Sequence, residues 1–166
     1  MKRSWMKQRS DNPKNKAVRN LDDALSLCIR NDRDAALPCI LCGKYKSPDE
    51  FDNGHFIERG RMETRFHPYN CNKECRSCNT SHVSGFRPDK GFGYGLAIDQ
   101  KWGVGASLFL YQLSRKPTLE MLQWSENELK QLTSAARMGY PVYVQLYFEL
   151  RPTHRLTFAQ QSGTLT

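Results

Sequence analysis

The chain has 166 residues, of which 39% are hydrophobic and 25% charged, and its mean hydropathy is -0.69. No apolar run reaches the roughly 18 residues of a membrane span, and the N-terminus lacks the apolar region of a signal peptide, so we expect a soluble, cytoplasmic protein. The 25 basic residues outnumber the 17 acidic ones, which favours a polyanionic partner such as nucleic acid.

Residues 1–19 are polar and rich in cations, with Asp11 as their one acidic residue. This composition predicts a flexible arm that neutralises DNA phosphates, and a solvated tail without a specific role is the alternative. The predicted phosphate-binding residues of the arm are Lys2, Arg3, Lys7, Arg9, Lys14 and Lys16.

Residues 20–90 are predicted to hold a helix and a metal-stapled core. Asn20 is expected to cap a helix that runs from Leu21 to about Asp32. Cys28 lies on the apolar face of this predicted helix. We therefore expect a buried thiol at this position rather than a metal ligand.

Two Cys-x2-Cys pairs, separated by 32 residues, are the strongest motif. In a reducing compartment, paired cysteines at this spacing indicate a tetrahedral zinc site rather than disulfides. The predicted ligands are Cys39, Cys42, Cys75 and Cys78. Cys71 is a competing ligand, but with four partners already present it is predicted to be a spectator thiol.

Between the two pairs, the pattern predicts two short strands joined by a long loop. The first strand includes residues 55–57, the second begins near Tyr69, and a short helix is expected over residues 79–84. The loop carries three arginines that are predicted to clamp phosphates, unless they are simply solvated. These residues are Arg59, Arg61 and Arg65.

The C-terminal half is predicted to be helical over residues 91–155, after a glycine-rich linker at 85–95 and before a loose tail at 156–166. Ser125 and Glu128 form a capping box that starts a helix ending near Met138. Residues 142–150 fit either a strand or a helix. Two histidines of the chain are predicted to be surface residues, namely His67 and His154.

The segment between the cysteine pairs also carries the residue types that phosphodiester hydrolysis requires. A base must deprotonate water, and a divalent cation must offset charge in the transition state. His55 is the candidate base, and oxygen donors for Mg2+ are available from Asp52, Asn70 and Asn79. His82 lies three residues after Asn79 and is a further candidate for metal or phosphate binding.

Taken together, these motifs resemble the zinc-stapled HNH nucleases, which are α+β proteins with a ββα-metal, treble-clef-like core. The closer resemblance, over roughly residues 21–150, is to the phage recombination endonucleases called NinG or Rap. It is carried by the sequence Asp-Asn-Gly-His-Phe-Ile at 52–57, the arginine-rich loop, and Cys-Arg-Ser-Cys-Asn at 75–79.

The resemblance implies a role for each matched residue. The four cysteines would bind structural Zn2+, His55 would be the general base, Asn70 would orient the hairpin, and Asn79 would bind catalytic Mg2+ or Mn2+. Many HNH nucleases place an aspartate directly before the histidine, whereas this chain has Gly54. The nearest substitute, Asp52, starts on the opposite strand face from the histidine, so it could reach the cation only if Gly54 marks a bulge or bend.

By resemblance, the function would be cleavage of branched DNA, such as Holliday junctions and D-loops, in the cytoplasm of a bacterial host. A homodimer is expected if junctions are resolved by paired nicks, with the C-terminal helices as a candidate interface. A non-catalytic zinc-containing DNA-binding module is the alternative. A thiol redox protein fits poorly, because no thioredoxin-like βαβ pattern accompanies the cysteines.

Overall fold

The computed structural model describes residues 12–83, 90–115 and 123–156, without the side chains of residues 81–92. It is an α+β structure in which a two-stranded antiparallel sheet lies among helices. In chain order the main elements are α1 (Pro13–Cys28), β1 (Phe51–His55), α2 (Met62–Arg65), β2 (Cys71–Cys75), α3 (Arg76–Val83), α4 (Lys90–Trp102), α5 (Ala106–Arg115), α6 (Glu126–Met138) and α7 (Tyr140–Leu150). Single turns of π-helix (Ile29–Arg33) and 3-10 helix (Pro48–Glu50 and Pro152–His154) complete them.

Helix α1 begins eight residues earlier than the sequence predicted, at Pro13 rather than Leu21. Asn12 is the cap, and its side-chain oxygen accepts a hydrogen bond of 2.9 Å from the backbone N–H of Lys14. A proline at the first helical position costs nothing there, so Asn-Pro is itself a start signal. The helix therefore takes up residues 13–19 of the predicted flexible arm, and residues 1–11 lie outside the described part.

The sheet is a regular hairpin whose register pairs Phe51 with Cys75 and His55 with Cys71. The predicted strands and helix are therefore present, but their bounds differ. Strand β1 ends at His55, and α3 follows β2 directly at Arg76 rather than starting at residue 79. The second Cys-x2-Cys pair thus spans the step from a strand to a helix. Pairing is continuous through Gly54, so the described hairpin lacks the bulge that would bring Asp52 to the same face as His55.

The C-terminal helices follow the predicted local signals closely. The capping box is present, because the Ser125 hydroxyl accepts from Glu128 N–H and the Glu128 carboxylate accepts from Ser125 N–H. Helix α6 ends at Gly139, whose φ of 126° suits a residue without a side chain. Residues 142–150 are helical, and the predicted linker is helical over residues 90–95. Residues 85–89 and the tail from 157 onward are not described.

The main core is formed by α1, α6 and α7 around the outer face of the hairpin. Its largest fully buried side chains include two tyrosines of α7 and a tryptophan just before α6, together with leucines from α1 and α6. They are Leu21, Leu25, Trp124, Leu129, Leu132, Tyr143 and Tyr147. A second cluster joins α4 to α5. Among the described residues, every helix is too short or too polar to cross a membrane.

A buried ionic network connects the end of the π-helical turn after α1 to the hairpin and to α4. The carboxylate of Asp34 is 1% exposed and binds Arg33 at 2.6 Å and Lys101 at 2.8 Å. The Arg33 guanidinium lies over the ring of Trp102, and the ammonium of Lys73 donates to the Asp34 carbonyl. The two ion pairs and the Lys73 hydrogen bond all involve Asp34, and they hold α4 against the hairpin that carries the candidate site.

The prediction that His67 and His154 are surface residues was wrong. Both are fully buried, their rings stack with centroids 5.8 Å apart, and His67 Nε2 is 3.0 Å from the His154 carbonyl oxygen. His67 Nδ1 accepts from the backbone N–H of Tyr69, so the imidazole is neutral with its proton on Nε2. Burial, and then the neighbouring His154, lower the pKa of His67 to about 3.

Acid is expected to destabilise the fold through His67. Because its pKa is about 3 in the folded protein and about 6.5 in an unfolded chain, the unfolded state binds the proton first. Stability is therefore complete above pH 6.5 and falls as the pH decreases, by about 1.4 kcal/mol per pH unit from this residue alone.

Urea unfolding of the wild type and His67→Gln at pH 7, 6 and 5 measures this contribution. The variant should be less stable at pH 7 but should lose less stability on acidification than the wild type. Acid-driven release of metal from the cysteines affects both proteins equally, so it cancels in the comparison. Parallel losses in the two proteins would show that His67 does not contribute.

Candidate functional site

The four predicted zinc ligands converge on one point. The sulfurs of Cys39, Cys42, Cys75 and Cys78 all lie within 4.8 Å of one another, and Cys42 Sγ is 3.8 Å from Cys75 Sγ. Tetrahedral Zn–S bonds of about 2.3 Å place sulfur atoms roughly 3.8 Å apart. The cluster therefore fits a metal ion such as zinc, as the spacing predicted.

The surroundings of these sulfurs prepare them for a cation. Cys39 Sγ accepts a hydrogen bond from the backbone N–H of Cys75 at 3.3 Å. Burial raises the pKa of Cys75, but hydrogen bonds from Ser77 and from the backbone and side chain of Cys78 outweigh it and lower the pKa to about 7. Burial and the neighbouring thiol of Cys75 raise the pKa of Cys78. Four adjacent thiols can all ionise only when a cation offsets their charge.

The two remaining cysteines lie outside the cluster, as predicted. Cys28 is buried on the apolar face of α1. Cys71 is fully buried, its thiol donates to the Arg65 carbonyl at 3.2 Å, and burial raises its pKa to about 12. A thiol with so high a pKa is a poor metal ligand, because the thiolate is the ligating form.

Beside the cluster, the hairpin and α3 bring two of the predicted metal ligands together. The side-chain amide of Asn79, on the first turns of α3, donates to a carboxylate oxygen of Asp52 on β1 at 3.2 Å. Both side chains are partly exposed. Asp52 reaches this position from a regular strand. The remaining candidate, His82, also belongs to α3, and its side chain is outside the described set.

A third oxygen donor on this face, Glu74, escaped sequence analysis. It pairs directly with Asp52 across the hairpin, so both side chains leave the same face. The carboxylate of Glu74 lies over Gly54, where an added Cβ would be 2.1 Å from Oε2. The missing side chain at residue 54 thus makes room for a carboxylate from the other strand. Burial, and then the charge of Glu74, raise the pKa of the Tyr94 hydroxyl in α4.

His55 lies on the other face of the hairpin, opposite Cys71. Its Nε2 is 3.1 Å from the carbonyl oxygen of Arg65, which can only accept, so Nε2 carries the proton and Nδ1 is free to act as a base. The imidazole is 7% exposed, and burial, followed by the charge of Arg59, lowers its pKa to about 4. Within the described residues, no hydrogen bond joins it to Asp52 or Asn79.

Asn70 organises the loop between the strands. Its side-chain oxygen accepts from Ile57 N–H at 2.6 Å, and its amide donates to the carbonyls of Ile57 and Thr64. These three bonds connect the end of β1 to α2 and to the start of β2. Asn70 is fully buried, so its contribution to the site is to shape the loop around His55.

The three loop arginines divide into two kinds. Arg59 and Arg61 are exposed. Arg65 instead binds the carboxylate of Asp22 on α1 through Nε at 3.1 Å and Nη2 at 2.5 Å. This pairing positions the Arg65 carbonyl that His55 contacts. Sequence analysis did not find it, because the partners are 43 residues apart.

Comparison with known proteins identifies the family to which the chain belongs. A family model described as Bacteriophage Lambda NinG protein matches residues 1–139, which include the cysteine cluster, the hairpin and α3. Searches of the curated proteins and of the solved structures gave no significant match. Membership of a phage recombination family suggests a recombination-related function. Because the model covers most of its length, the chain belongs to the NinG family.

Proposed function

We propose that this chain is a zinc-containing, metal-dependent DNA endonuclease of the HNH (ββα-metal) type. The observation that carries the proposal is the hairpin followed directly by α3, which joins the four-cysteine cluster to the Asp52–Asn79 pair. Family membership supports a nucleic-acid substrate, and the excess of basic residues agrees with it. The proposed substrates are branched recombination intermediates, such as Holliday junctions and D-loops.

The proposed metal chemistry uses two kinds of donor. Thiolates suit Zn2+, and the cysteine cluster would hold it as a structural ion. Carboxylate and amide oxygens suit Mg2+ or Mn2+, which Asp52 and Asn79 would hold, with Glu74 as a further carboxylate on the same face. Such a cation, when bound, offsets negative charge on the phosphate and the leaving oxygen.

Side chains of the protein would supply the base and the phosphate contacts. Nδ1 of His55 would accept the proton of the attacking water, because the Arg65 carbonyl keeps the proton on Nε2. Asn70 would hold the loop that supplies this carbonyl. The exposed guanidinium groups of Arg59 and Arg61 would contact phosphates of the bound strand.

A non-catalytic zinc-containing DNA-binding module is the second candidate. The position of His55 favours it, because the imidazole is nearly buried and leaves β1 on the opposite face from Asp52. In that case the cysteines and the basic surface would have the same roles, and the histidine would only support the loop.

Cleavage and binding assays separate the two functions. Zinc-loaded protein is incubated with a Holliday junction, a D-loop, duplex and single-stranded DNA, each with Mg2+, Mn2+ or neither. The nuclease should cut branched DNA only with the cation, and His55→Ala should slow cutting by on the order of 100-fold or more while DNA binding is retained. Binding without cleavage of any substrate, in both proteins, would establish the non-catalytic module.

A further inference from the structure

A groove between α1 and α6 is a candidate for a second contact with nucleic acid. It has a volume of about 590 Å³, and it is lined by residues from the first half of α1 and from the whole length of α6. The cations in its lining are Lys16, Lys130 and Arg137. The groove lies away from the cysteine cluster, since none of its lining residues belongs to the hairpin or to α3.

The charge of the groove is positive. Its acidic lining residue, Glu126, is bound by Lys130 at 2.6 Å, so these two charges offset each other. Lys16 and Arg137 are exposed, and neither forms an ion pair with a carboxylate of the described chain. Two cations therefore face the groove without a counter-ion among the residues that the structure describes.

The remaining lining favours phosphates over a peptide. Peptide and protein partners usually anchor an aromatic or large apolar side chain in a buried pocket. The apolar lining residues are Pro13 and Ala17, which are too small to form such a pocket. Asn20 and Ser134 instead offer polar groups beside the cations, and phosphate contacts in DNA complexes come from these residue types.

The groove also begins where the basic N-terminal segment joins α1. Pro13 is both the first residue of the helix and part of the lining. Residues 1–11 contain Lys2, Arg3, Lys7 and Arg9 against one acid. The sequence directly before the first lining residue of the groove is therefore basic.

We propose that the α1–α6 groove binds the phosphate backbone of DNA outside the cleavage site, through Lys16 and Arg137. The inference depends on the DNA partner of the proposed function, but not on cleavage. Contacts of this kind do not read the sequence, and each one that is lost reduces the salt dependence of binding by a fixed amount.

The test compares two double variants that remove the same charge. Lys16→Gln with Arg137→Gln removes the groove cations, and Arg115→Gln with Arg155→Gln removes two exposed cations on α5 and after α7. All four side chains are exposed, so both variants should fold. Binding to a labelled duplex is measured by anisotropy from low to high salt, with zinc-loaded protein and no Mg2+ or Mn2+.

The groove variant should bind more weakly at each salt concentration, and its slope of log K against log salt should be smaller by about 1.8, or 0.9 for each lost phosphate contact. The control should keep a slope close to that of the wild type. Equal slopes in the two double variants would overturn the proposal. Binding of a poly-glutamate peptide that only the groove variant loses, with DNA binding unchanged, would also overturn it and assign the groove to an acidic peptide.

The outcome is independent of nuclease activity. Salt-dependent binding through the groove by a protein that never cleaves DNA would refute the endonuclease proposal alone. Metal-dependent cleavage by a protein whose groove variant binds like the control would refute the groove alone.

Discussion

Removal of zinc is expected to unfold the hairpin and α3. The buried apolar cluster around the four-cysteine site is small, with Cys39, Phe51 and Cys75 as its members and Leu41 and Cys78 packed against it. Structural zinc contributes about 10–16 kcal/mol in zinc-finger peptides, whereas the net stability of a typical domain is about 5–15 kcal/mol. The metal should therefore decide whether this part of the chain folds.

Thermal unfolding followed by circular dichroism, before and after a strong zinc chelator, measures the effect. We expect one zinc per chain at the start, and a loss of ellipticity together with a lower melting temperature after chelation. Cys42→Ser should behave like the chelated protein. The matched control is Cys71→Ser, because its hydroxyl can still donate to the Arg65 carbonyl. An unchanged melting curve after zinc removal would contradict a structural metal.

Local signals were sufficient for the parts of the fold that depend on near neighbours. The cysteine spacing, the capping box of α6 and the glycine at its end all act over a few residues, and the structure contains each of them. The start of α1 was also readable from Asn12 and Pro13. The prediction placed the helix start later because the basic composition of residues 1–19 suggested disorder. Composition alone contains no information on the order of residues, and a capping residue followed by proline is a signal of order.

Interactions between distant segments could not be predicted in the same way. His67 looks like any polar loop residue until α7 and the turn after it enclose it in aromatic rings. Arg65 resembles a phosphate-binding residue until α1 supplies Asp22. In each case the polar group is satisfied by an element far away in the chain, and a single sequence contains no record of that pairing.

The glycine at position 54, where many HNH nucleases have an aspartate, can be understood from packing. A side chain at this position would collide with the carboxylate of Glu74, its diagonal neighbour across the hairpin. With glycine at this position, β1 has no carboxylate directly before His55, and the space is occupied by the carboxylate of Glu74 from β2. The site keeps oxygen donors near Asn79, because Asp52 and Glu74 share that face.

The proposed division of labour in the site predicts two different losses of activity. Asp52→Asn and Asn79→Ala should raise the concentration of Mg2+ needed for half-maximal cleavage, because each removes a donor to the cation. The shift should be at least the roughly 10- to 100-fold that loss of an outer-shell partner costs. His55→Ala should leave that concentration unchanged and lower the rate at saturating Mg2+ by on the order of 100- to 10,000-fold.

Cleavage rates measured against Mg2+ concentration, on one junction substrate, distinguish the two classes. Asp49→Asn is the matched control for Asp52→Asn, since Asp49 belongs to an exposed turn directly before β1. It removes the same charge from the same region and should cleave like the wild type. A metal requirement that is identical in the wild type and in Asp52→Asn would place the cation elsewhere. If His55→Ala cleaved DNA at the full rate, His55 would not be the base, because removal of a base slows the step that it serves. The imidazole would then have only its structural contact with the Arg65 carbonyl in the wild type.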